Sequence, residues 1–262
     1  MGKKLEAFDS HHGEAIGSIG SGNHFAEIQR IEKIIDDTLF EALDLDKSKV
    51  LLMIHSGSRG LGNTILRRHL DQCGAAGIDP DSSEGQNYIS EHDRACAWAA
   101  NNRQVVADRI LELIGGKSEL VCEAFHNILS PLENGRWIHR KGAVEACEKP
   151  VVIAGSRGTF SYLVMPQNSG LDNAFSLAHG AGRKWKRNEV KARMSHKYKI
   201  QSLQQTDLGS RVICHDRQLI YEEAPQAYKN IETVIDALED AKLIKVIAIL
   251  RPVITYKKGD KK

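Results

Sequence analysis

The chain has 262 residues, 41% of them hydrophobic, enough for a large domain with a substantial core. Lys and Arg number 36 against 34 Asp and Glu, a formal net charge of +2, so no global field favours nucleic acid and any basic patch must be local. No run of 18 apolar residues occurs and the lead is polar, so neither a membrane-spanning helix nor a signal peptide is expected, and the cytoplasm is the expected compartment.

In chain order, residues 1–16 read as a polar lead, 17–257 as one α/β domain and 258–262 as a basic tail. GSIGSGNHFAEIQ (17–29) opens the domain with Gly17, Gly20 and Gly22, which can take positive φ and let backbone N–H groups close on an anion. It lacks the Gly-Lys-Ser/Thr of a phosphate loop, so taken alone it could equally be a turn. Val50–Ile54 is an apolar run too short for a helix, and it predicts a buried strand with His55 at its end. Apolar spacing from Gln86 to Ile114, closed by Gly115-Gly116, predicts a long amphipathic helix. LVCEAFHNILS is an apolar stretch ending at His126-Asn127, and KPVVIAGSRGTFSYLVM reads as strand, glycine turn and strand. Pro225–Lys242 has helical spacing, and IKVIAILRPVITYK predicts a strand interrupted at Pro252. The five cysteines are odd in number and never form Cys-x-x-Cys, which points to small core residues rather than disulfides or a zinc knuckle.

Chemistry concentrates at four histidines: His24 in GSGNHF, His55 in MIHSGSRGLG, His126 in AFHNILS and His179 in SLAHGAGRKWKR. Imidazole is both a common neutral metal ligand and a competent nucleophile, and neighbouring glycines admit phosphate to the backbone. Behind His179, residues Arg183, Lys184, Lys186, Arg187, Lys191 and Arg193 face one acid, Glu189, with Trp185 interleaved. Such a stretch can be a solvated helix face, but arginine forks and an indole also suit phosphates and bases.

These motifs resemble the RtcB-type RNA ligases. The matching stretches are GSGNHFAE (20–27), HSGSRGLG (55–62), HN (126–127), HRKGA (139–143), GSRGTFSY (155–162), HGAGR (179–183), EEAPQAYK (222–229) and LRPVITYK (250–257). The resemblance implies a single α/β (α+β) catalytic domain with mixed sheets, acting as a monomer away from membranes. It implies an enzyme that joins RNA 3′-phosphate or 2′,3′-cyclic phosphate ends to 5′-hydroxyl ends, using GTP and two Mn2+ ions. His24, His55 and His126 would be metal ligands, and His179 the nucleophile that carries GMP. Asn23, Phe25, Glu27, Ser156, Thr159, Gly180, Ala181, Gly182, Tyr228 and Lys257 would bind the nucleotide, and Arg59, Arg183 and Arg187 would hold RNA or phosphate.

Three departures qualify the match. Upstream of the Asn-His loop the chain has no Asp-x-x-Cys, the family's metal-bridging motif, so it resembles the family's later two-thirds; those ligands would come from an upstream segment or, failing that, from Asp9, His11 or His12. Arg157 stands where many members have methionine, and Lys186 where serine is usual. A catalytically degenerate protein that binds RNA or nucleotide is the alternative expectation. A metal phosphohydrolase is a weaker third, for want of carboxylate-rich ligands.

Overall fold

A computed structural model describes residues 13–258, so Asp9, His11 and His12 lie outside the described residues. The chain forms two compact units, one comprising the residues up to Gly20 with Ile54–Ser118 and a larger one comprising Ser21–Met53 and the residues from Glu119 onward. None of the described helices is long and apolar enough to cross a membrane.

The strands are β1 (Phe25–Ile34), β2 (Val50–His55), β3 (Asn127–Pro131), β4 (Trp137–Lys141), β5 (Ala143–Glu145), β6 (Val151–Ile153), β7 (Ser161–Pro166), β8 (Ser176–Ala178), β9 (Arg211–Ile213) and β10 (Ile244–Tyr256). The main sheet of the larger unit runs β2-β1-β10-β7-β6, with β9 also paired to β10. β10 is its spine, antiparallel to β1 and β7 and parallel to β9. Both sheet faces are covered, which is why VIAIL (246–250) is continuously apolar instead of alternating. One face packs Val151, Ile153, Val164 and Val246 against Ile231 and Ile235 of the helix Ile231–Asp240. The other packs Leu163, Ile247 and Leu250 against Ile31 and against Phe40 of the helix Asp37–Ala42. Two further ribbons pair β3 with β4 and β5 with β8.

The strand expected from Val50 and the strand-turn-strand around GSRG are present. Three expectations need correction. The helix expected from Pro225 begins at Ile231, because the Asn230 side chain caps it by accepting from Glu232 N, and Pro225–Ala227 forms a separate 3-10 turn. β10 is not interrupted at Pro252: the proline lies opposite Gln29 at a register shift, after the β7 pairing ends at Leu250 and before the β9 pairing begins at Ile254. A residue without an N–H is tolerated at such a place. The cysteines are free thiols, but only Cys214 is buried, and Cys147 is exposed.

In the smaller unit the expected helix is present as Ser83–Ile114, capped by Ser82 and stopped by the left-handed Gly115. Leu61–Cys73 forms a second helix beside it, with His69 and Tyr88 rings 4.6 Å apart. Asn102, fully buried, organises the start of the glycine run. Its Oδ1 accepts from Gly17 N (2.7 Å) and Ser18 N (3.3 Å), and its Nδ2 donates to Ser18 O and Ser56 Oγ (3.1 Å each). A Cβ on Gly17 would lie 2.3 Å from Arg109 Nη1, and φ there is +73°, so this first glycine serves packing. Asn102→Ala would leave several buried polar groups unpartnered and should cost about 2 kcal/mol. A lowered urea midpoint with an unchanged slope checks this; an unmoved midpoint would show that Asn102 holds nothing.

Candidate functional site

His179 follows β8 directly and is tied down on both sides by its backbone. Ala154 N donates to His179 O (3.2 Å), and Ala181 N donates back to Ala154 O (3.1 Å). The His179 ring places Nδ1 2.6 Å from the Gly142 carbonyl oxygen. Only Nδ1–H can make that contact as a donor, so the lone pair resides on Nε2. Gly142 has φ +71°, and a Cβ there would already be 3.5 Å from the His179 ring. Gly142 N in turn donates to His126 O (2.6 Å), and the rings of His126 and His179 stack with centroids 4.4 Å apart at 27°. Burial pushes the His126 imidazole down to about 4, helped by His179 and by His24, which is close enough for its charge to act. Burial also lowers His179, against the opposing Gly142 hydrogen bond. The larger unit thus stacks His126 on His179, with His24 within electrostatic range of His126 and with His126 and His179 neutral at physiological pH.

A second group lies along β1 and at the end of β10. Glu27, 3% exposed, accepts from Gln29 Nε2 (2.6 Å) and from Thr255 Oγ1. Burial pushes its carboxyl up to about 7, although both hydrogen bonds and the Lys257 ammonium pull it down. Lys257 is buried, with Nζ 5.9 Å from the centroid of the Phe25 ring, and burial lowers it to about 8. Ser156 and Thr159 close the turn after β6: Ser156 N donates to Thr159 Oγ1 (2.8 Å) and Thr159 N to Ser156 O (3.0 Å). Between them Arg157 is buried. Its Nη2 donates to Ile220 O (2.9 Å), while Nε and Nη1 find no acceptor among the described residues.

The third group is basic. Gly180 bridges to Ala154, Ala181 is buried and Gly182 takes φ +70°, which carries the chain from His179 to Arg183. Arg183 donates to Glu223 Oε1 (3.0 Å), Glu222 O (2.7 Å), Tyr228 OH (3.3 Å) and Trp185 O (3.3 Å), and stands 5.1 Å over the Tyr228 ring. Its fork is therefore occupied by protein acceptors. Arg187 opens the helix Arg187–Ser195 and keeps an exposed guanidinium, with Nη2 3.3 Å from Asn23 Oδ1 and Nε 3.4 Å from Glu223 Oε1.

His55 and Arg59 fall in the smaller unit. There Arg59 has φ +57°, a strained value for a non-glycine residue, and its Nε donates to Ser18 Oγ (3.2 Å). Sequence reasoning missed Glu223, Thr255 and Gly142. Glu223 and Gly142 sit inside quoted motifs, EEAPQAYK and HRKGA, but nothing in a motif string distinguishes a hub from its neighbours.

Manganese and the donors present do not match. Among the described residues no three His, Cys, Asp or Glu side chains gather as a metal-holding group. Among the described residues of the larger unit, His24 and His126 offer imidazole nitrogens with no carboxylate grouped beside them, which suits a borderline ion better than two manganese ions.

The RtcB family model, described as tRNA-splicing ligase RtcB, matches residues 3–258. The RNA-splicing ligase RtcB2 of Escherichia coli is 48% identical over 252 residues, covering 95% of this chain and 66% of that protein. The tRNA-splicing ligase RtcB of Archaeoglobus fulgidus is 32% identical over 282 residues, covering 90% of this chain and 58% of that protein. RNA-splicing ligase RtcB homolog 1 of Entamoeba histolytica is 30% identical over 285 residues, covering 92% and 54%. The chain therefore spans between about half and two thirds of the length of these relatives.

Proposed function

This chain belongs to the RtcB family, and we propose that it serves as an RNA ligase joining 3′-phosphate ends to 5′-hydroxyl ends with GTP as co-substrate. The observation that carries the reading is the His179 ring, fixed through Nδ1 on the Gly142 carbonyl beside His126 and four residues before the basic stretch that begins at Arg183. A neutral imidazole with its lone pair on Nε2 is the nucleophilic form.

In this reading Nε2 attacks the α-phosphorus of GTP, a P–N bond forms, and the bond to the β-phosphate breaks with loss of pyrophosphate. An oxygen of the RNA 3′-phosphate then takes the GMP and frees His179. Attack by the 5′-hydroxyl on that activated phosphate closes the RNA bond and releases GMP. A 2′,3′-cyclic phosphate end would first be opened by water. Phe25, Tyr228, Glu27 and Lys257 hold the base, Ser156, Thr159 and residues 180–182 line the nucleotide site, and Arg187 and Asn23 meet phosphate. Manganese is the ion the family resemblance implies, and no step is assigned to it because the described donors do not complete its site.

RNA halves bearing 3′-phosphate and 5′-hydroxyl ends, incubated with the protein, GTP and Mn2+, should yield joined product. Its absence, with RNA still bound, would favour the second reading, a protein that binds RNA or nucleotide without catalysis. That reading draws on one observation: among the described residues no carboxylate joins the histidines in a metal-holding group.

A further inference from the structure

We propose that Glu223 is a positioning residue, a single buried carboxylate that holds the phosphate-facing Arg187 and the base-facing Tyr228 in register; this rests on the ligase reading for what those two residues meet. Glu223 is 2% exposed and lies between the helix Arg217–Glu222 and the 3-10 turn Pro225–Ala227. One oxygen, Oε1, takes Arg183 Nη1 at 3.0 Å and stands 3.4 Å from Arg187 Nε, and the other, Oε2, accepts the Tyr228 hydroxyl. The backbone reinforces only part of this arrangement. Lys184 N donates to Ala227 O (2.9 Å) and Lys229 N to Gly182 O (3.0 Å), so Arg183 and Tyr228 are registered by strand-like pairing as well.

Arg187 has no such support. Its side chain is 49% exposed, and an exposed arginine samples many rotamers unless anchored. Two anchors restrict it, Glu223 Oε1 and Asn23 Oδ1, and Gly22 leaves the space: a Cβ there would be 2.8 Å from Arg187 Nη2. The guanidinium consequently lies across the loop that presents His24. Both contacts are long for charge-assisted bonds, so an arriving phosphate can draw on the remaining donors while the anchors keep the fork in place.

The test uses the described chain in full and reads positioning separately from function. In the unmodified protein, 15N relaxation at Arg187 Nε should report an ordered guanidinium, and Glu223→Gln should release it to the mobility of an exposed arginine such as Arg67. Equal order, or equal mobility, in both proteins overturns the proposal whatever the RNA does. An oligoribonucleotide ending in a 3′-phosphate should bind about ten-fold more weakly to Glu223→Gln. That loss should vanish in an Arg187→Ala background, because Glu223 acts through Arg187. The same ten-fold loss persisting in that background, with thermal midpoints matched, would mark a merely structural role and overturn the proposal. Failure of the unmodified protein to bind this RNA would count against the ligase reading, and the relaxation measurement would still decide whether Glu223 positions Arg187.

Discussion

Replacing His179 by alanine should abolish covalent labelling by GTP carrying a labelled α-phosphate, a loss limited only by the detection of the assay. A phosphoramidate on imidazole is acid-labile and base-stable, so the label should leave at low pH and survive alkali. Three lysines are the competitors. Lys184 and Lys186 are exposed beside the site, and Lys257, lowered to about 8 by burial, has the larger neutral fraction that makes a lysine nucleophilic. Geometry favours the histidine, because the Gly142 carbonyl fixes its tautomer and rotation at 2.6 Å. Label that persists in His179→Ala, or that resists acid, would move the nucleophile to a lysine. Gly142→Ala should then weaken labelling without abolishing it, since alanine is strained at φ +71° and relieving that strain would shift the carbonyl that holds Nδ1.

The second large effect is on stability against pH. Glu27 titrates near 7 in the folded protein instead of at its ordinary 4.5, chiefly through burial, so the folded state holds this proton more tightly than the unfolded chain does. The associated stability is fully present below 4.5 and is lost as pH rises through 7, a loss of about 3 kcal/mol. Lys257 runs the other way along the pH axis. Lowered to about 8 from 10.5, again chiefly by burial, it contributes stability above 10.5 that is lost as pH falls through 8. Between 7 and 8 both contributions are at their smallest. Urea unfolding at pH 5 and pH 7.5 should show the difference shrink by about 2 kcal/mol in Glu27→Gln. An undiminished difference would place the Glu27 carboxyl in its usual range. A nucleotide whose base donates to an ionised Glu27 and accepts from Lys257 should stabilise the protein most within the same window.

Much of this arrangement could be read from residue order. The strand from Val50, the helix ending at Gly115 and the strand-turn-strand around GSRG follow from local spacing, which is where period and turn chemistry decide the outcome. The motif histidines and the Asn23–Glu27 stretch could be named, and the larger unit stacks His126 on His179. What could not be read is non-local. The continuity of β10 through Pro252 depends on which strands flank it at that residue, and the Ile231 helix start depends on a cap competing with apolar spacing. Nothing local marks Glu223, because its burial is created by Arg183, Tyr228 and Arg187, which approach from other segments. Arg157 drew notice as a departure from methionine, yet only the fold shows a guanidinium enclosed with two donors unanswered.

The pairing of β1 with β10 governs how the larger unit comes into being on a growing chain. Thr255 Oγ1 meets Glu27 across 228 residues of sequence, and the strand carrying it pairs on both sides with strands made earlier. Closing a loop of that length costs on the order of 5 kcal/mol in chain entropy before any contact repays it. β1 and β7 must therefore wait with a bare edge toward the place β10 will take, exposed to association with other chains. Nascent protein arrested before residue 244 should be captured by chaperones and aggregate readily, and arrest beyond residue 256 should relieve both. The nucleotide residues Glu27 and Lys257 come together in that same late event, so no shorter nascent chain can hold GTP through the pair.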